Sequence, residues 1–162
     1  MINKRGQVWV ETVIYTLIGL ALIGLVLAII MPQIGKFKDK STIEQTIDVL
    51  NTFDSKINDV LAAPGNARRL DLKMKRGDLF INSAEDMIIY ELGPIDTRYS
   101  EPNTTIDIGN VELLTEKVTS GYKVTLSLNL SAYNLTYEGG NKDMKFSEVA
   151  IPYSFIIENN GT

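Results

Sequence analysis

The chain has 162 residues, no Cys and no His, and a formal charge of -4. This composition excludes thiol nucleophiles, zinc sites built on nitrogen or sulfur ligands, and histidine acid–base chemistry. The acidic balance argues against nucleic acid as a partner, which requires a basic face.

The first element is the stretch from Lys4 to Gly35. Two basic residues, Lys4 and Arg5, precede Gly6 and Gln7. Glu11 sits just inside the apolar run, and no residue from Thr12 to Gly35 is charged. As a helix, that uncharged span is roughly 36 Å long, enough to cross a hydrocarbon core of about 30 Å. The run is too long for a secretory signal peptide and ends in Ile29-Ile30-Met31-Pro32 without a small-x-small cleavage site. Lys4 and Arg5 place the N-terminus in the cytoplasm and the long polar remainder outside, although Lys36, Lys38 and Lys40 lie on the far side. A carboxylate in a spanning segment is costly and marks a function that needs a partner. A cut between Gly6 and Gln7 would supply one, because Gln7 would then carry a free α-amine and Glu11 would become the fifth residue of the mature chain.

This pattern of Lys4, Arg5, Gly6, Gln7 and Glu11 before a long apolar helix resembles the type IV pilin superfamily, in particular archaeal pilins with a class III (prepilin-type) signal peptide. Trp9 and Tyr15 stand where Ser and Leu are usual in the archaeal motif. The resemblance covers the first third of the chain and is one of layout beyond it. It implies a short cytoplasmic leader, residues 1–6, removed by a membrane aspartic peptidase. It further implies an assembly ATPase, a polytopic platform protein and copies of the chain itself in a helical homopolymer. The membrane would hold the subunit until it enters an extracellular surface filament.

The helical pattern continues after Gly35. Ile43, Ile47, Leu50, Phe53, Ile57, Val60 and Leu61 form an apolar stripe, with Glu44, Asp48, Lys56 and Asp59 on the other face. It ends at Ala62-Ala63-Pro64-Gly65. Pro32 predicts a kink or an unwound turn. Ser41 and Glu44 have capping-box spacing that would start a second helix. One long kinked helix over 7–63, with a membrane or filament-core half (7–35) and an amphipathic half (36–63), and two consecutive helices are both open.

From residue 66 to 162 the period shifts to two. Leu70, Leu72 and Met74 alternate with charges, followed by Leu79–Ile81, Met87–Leu92, Val111–Val118, Val124–Leu130, Tyr133–Tyr137 and Val149–Ile157, the last edged by Pro152. The stretch 93–110 reads as loop. The expected class is α+β: a long N-terminal helix, kinked near Pro32, and a small antiparallel β domain outside the membrane.

No residue has a catalytic, cofactor-binding or metal-binding pattern, and no enzymatic activity is expected. Gly24 and Ala28, with Gly19, have the small-residue spacing of close helix pairs. Asn103, Asn129, Asn134 and Asn160 are glycosylation acceptors, Asn160 the weakest. The expected function is a structural subunit of a cell-surface filament, built on the Glu11–Gln7 charge pair and carrying glycans at Asn103, Asn129 or Asn134. Adhesion, motility, secretion and DNA uptake are all compatible roles. A minor pilin, an archaellin-like subunit, or an uncleaved single-pass membrane protein with an extracellular binding domain are the alternatives.

Overall fold

The computed structural model describes the backbone of residues 4–161 and the side chains of residues 8–161. Among the described residues one helix, α1 (Lys4–Leu61), precedes eight strands, and the chain divides into two compact units, Met1–Lys38 and Asp39–Thr162. The class is α+β, with a long apolar N-terminal helix followed by antiparallel sheets. The helix assignment runs unbroken through Pro32 and through Ser41, so no second helix starts there. Ser41 Oγ instead accepts a hydrogen bond from Gln45 Nε2 within the helix (3.1 Å).

The described residues of the first unit, 4–38, are all helix. Its polar side chains turn back on it: Thr12 and Thr16 donate to the carbonyls of Val8 and Thr12 (2.9 and 2.8 Å). Such back-bonding satisfies hydroxyls that would be costly in an apolar medium.

The second unit packs the amphipathic part of α1 on two sheets. Ile43, Ile47, Leu50, Phe53, Ile57 and Val60 are buried, while Glu44, Asp48 and Asp59 face outward. The larger sheet has the order β4 (Thr105–Ile108), β5 (Val111–Val118), β6 (Gly121–Asn129), β3 (Met87–Ile95), β2 (Asp78–Asn82), β7 (Met144–Ser147), with every pair antiparallel. Its inner face supplies Leu79, Ile88, Tyr90, Leu92, Val111, Leu113, Val124, Leu126 and Leu128 to the core. The smaller sheet pairs β1 (Ala67–Leu72) with β8 (Tyr153–Glu158). Edge-to-face contacts of Phe155 with Phe53 (5.6 Å) and Phe146 (5.0 Å) join α1, β7 and β8.

Several strands differ from the expectation. There are two sheets. β1 starts earlier and stops at Leu72, paired with Tyr153, because Pro152 lacks the N–H that would extend the ladder; Met74 is still buried beyond it. β3 continues past Gly93 and Pro94 by a bulge and resumes with Ile95 opposite Tyr122. β4 lies in the stretch read as loop, and β7 was not anticipated. Tyr133–Tyr137 is no strand: it carries one bridge, Tyr137 to Gly140, and Asp86 pins the segment by accepting from Leu130 N (2.8 Å) and Leu135 N (2.7 Å).

Candidate assembly and exterior surfaces

In the first unit the described apolar side chains are exposed. Leu17, Leu25 and Ile29 are about 60% exposed (59%, 60% and 62%), and the most apolar window of α1 is wholly unburied. The helix is long and apolar enough to cross a membrane. An exposed apolar surface of this size is of the kind that lipid or another protein surface covers. Added methyl groups at Gly19 and Gly24 would meet nothing within 4 Å, so these positions are shallow notches where another backbone can approach. Glu11 is exposed on the first turns of the described helix. Gly6 and Gln7 belong to the helical backbone, but residues 1–3 and the side chains up to Gln7, among them those of the expected cleavage site, lie outside the described residues.

In the second unit, α1 is clasped where it enters the globular unit. Asp39 is 6% exposed. Its Oδ1 accepts from Arg76 Nη1 and its Oδ2 from the Asp96 backbone N–H, both at 2.9 Å. Arg76 also donates to Pro94 O, and its own carbonyl accepts from Tyr90 Oη (2.8 Å). Burial, with the charges of Asp78 and Glu148, pushes the Tyr90 phenol up to about 12. The clasp joins α1, the β1–β2 connection and the bulged end of β3. Sequence reading missed it; the one available signal was an acid, Asp39, next to an apolar stripe.

All three favoured acceptor asparagines are exposed: Asn103 before β4, Asn129 at the end of β6, and Asn134 in the loop after it. Asn160 is exposed near the C-terminus. Asn103 takes a left-handed conformation (φ 59°) that Asn tolerates well. Asn129 Oδ1 accepts from Ser131 N (2.9 Å), which orients the side chain without using the amide nitrogen that a glycan would join. Comparison with family models, curated proteins and solved structures returned no match.

Proposed function

We propose that the chain is a structural subunit of a type IV pilus-like surface filament, held in the cell membrane before assembly. The observation that carries this reading is the uncovered apolar helix with one acid, Glu11, at its start and a globular unit at its other end. A membrane anchor alone has no use for Glu11. A bundle of such helices does: the carboxylate of one copy meets the Gln7 α-amine of another after the leader is removed, and each charge becomes less costly to bury. A prepilin peptidase, an assembly ATPase and a platform membrane protein would be its partners in assembly. The exposed Asn103, Asn129 and Asn134 would carry glycans on the outer surface.

The test is the intact mass and N-terminal residue of the protein isolated from its own cell surface. The expected chain begins at Gln7 and exceeds its polypeptide mass by whole glycans. Gly6→Val should leave a heavier, membrane-bound precursor. A native chain that begins at Met1, or normal processing of Gly6→Val, overturns the cleaved-subunit reading in favour of an uncleaved anchor.

A further inference from the structure

The large sheet of the second unit has two edges, β4 and β7, each four residues long. Its six strands alternate in direction, so the two edges run opposite ways. An even number of strands has a consequence: a second copy placed beside the first in the same orientation brings its β4 antiparallel to the first copy's β7. An odd number would have made that junction parallel.

The side chains match as well. One register row crosses all six strands, from Asp107 through Glu112, Ser127, Ile89 and Phe80 to Lys145. Asp107 is exposed at one end. At the other end Lys145 lies over the Phe80 ring (5.3 Å) and 3.0 Å from Asp78. The next row in each direction belongs to the core face and ends in Ile106 and Phe146, or in Ile108 and Met144. Ile106, Ile108 and Phe146 already pack against the core. Continuing the rows from copy to copy therefore sets Asp107 beside Lys145, Ile106 beside Phe146 and Ile108 beside Met144.

We propose that β4 of one copy pairs with β7 of the next, so that the sheet extends from chain to chain. A sheet edge presents unpaired N–H and C=O groups, and charged edge residues ordinarily block such pairing. Here the charges select it. Two β4 edges would oppose Asp107 with Asp107, and two β7 edges Lys145 with Lys145, whereas the mixed junction pairs opposite signs. The contact is head-to-tail, so each copy leaves a free edge at either end to which a further copy can add, unless the rotation from copy to copy closes a ring. This goes beyond the filament reading: it concerns the globular units and is independent of Glu11.

The chain contains no Cys, which makes disulfide trapping selective. Full-length protein carrying Asp107→Cys and Lys145→Cys, in native-host membranes under mild oxidation, should give a ladder of dimer, trimer and longer species. Directly opposed residues in neighbouring strands lie about 4.5–5.5 Å apart at Cα, within disulfide reach. Each single-cysteine chain should give at most a dimer. Thr105→Cys with Ser147→Cys, the adjacent outward row, should reproduce the ladder if the first pair disturbs folding. Both are repeated with Asn103→Gln, since a glycan there would flank the edge. Both double variants staying at the level of the single-cysteine controls, with or without Asn103→Gln, overturns the edge pairing. Electron microscopy of the same cells separates this from the filament reading: filaments without a ladder leave that reading intact, and a ladder without filaments supports the edge contact alone.

Discussion

Asp39 is the buried acid of the second unit, and its worth lies in its partners. A carboxylate this enclosed is costly unless its oxygens are hydrogen-bonded, and both are, to Arg76 and to the Asp96 N–H. Arg76 is the less buried member, with 40% of its side chain exposed. Truncation should therefore be asymmetric. Asp39→Ala frees an arginine that water reaches, and should cost about 1–3 kcal/mol. Arg76→Met strands the buried carboxylate and should cost more. The double variant Asp39→Asn/Arg76→Met should regain part of that loss, because the remaining amide still accepts from Asp96 N. Thermal unfolding of the four proteins checks the ranking; negligible losses for both single variants would show that the clasp is too hydrated to matter. Gly121 is a second residue that admits little change. Its φ is 128°, and an added Cβ would lie 2.3 Å from the Ile95 carbonyl oxygen at the bulge.

At the scale of elements, legibility followed burial. The stripe from Ile43 to Val60 and the alternation of Val124, Leu126 and Leu128 were readable because each buries one face against a full layer. The elements missed are the edges. β4 and β7 have four residues each, bury little, and owe their form to the neighbour they pair with rather than to their own pattern. The sequence shows the bulge residues Gly93 and Pro94 as a stop, whereas the sheet resumes after them. The Asp39–Arg76 clasp joins residues far apart in the chain, and its one local signal, an acid beside an apolar stripe, does not name the partner. The peripheral strands also carry the acid sensitivity. Hydrogen bonds from Ser147 and then Lys145, both on β7, hold Asp78 below the ordinary carboxylate value. Ser154 on β8 and then Arg69 do the same for Asp71 on β1. A depressed carboxylate stabilises the fold above its unfolded value, and that contribution is lost as pH falls through the folded one. Acidification below the usual carboxylate range should loosen β7 and the β1–β8 pair before the central strands. Hydrogen exchange read strand by strand across that range checks this. Asp78→Asn should remove most of the pH response of β7, and an unchanged response in that variant would place its origin elsewhere.

For the molecule as a whole, the sharpest test of the proposed filament assembly is Glu11. No other residue from Gln7 to Gly35 has a charged side chain, and insertion tolerates this one without needing it. Glu11→Ala should therefore enter the membrane at least as well as the native chain, since a desolvation cost is removed. Leader removal should also proceed, because Lys4, Arg5, Gly6 and Gln7 are untouched. Folding of the second unit should be unaffected, since its core begins at Ile43. Incorporation is the step expected to fail. Without the carboxylate, the Gln7 amine of a neighbouring copy would enter an apolar bundle unpaired, and losing one partner of a buried pair costs about 3–5 kcal/mol. The penalty recurs at each copy added, so it stops growth of the polymer rather than slowing it. Glu11→Gln keeps an acceptor without the charge and should fall between. The measurement compares surface filaments with the membrane pool of cleaved subunit, each variant expressed alone in its native host. Abundant Glu11→Ala filaments would remove charge pairing as the assembly mechanism. Loss of the membrane pool itself would move the role of Glu11 to insertion or processing, before any filament forms.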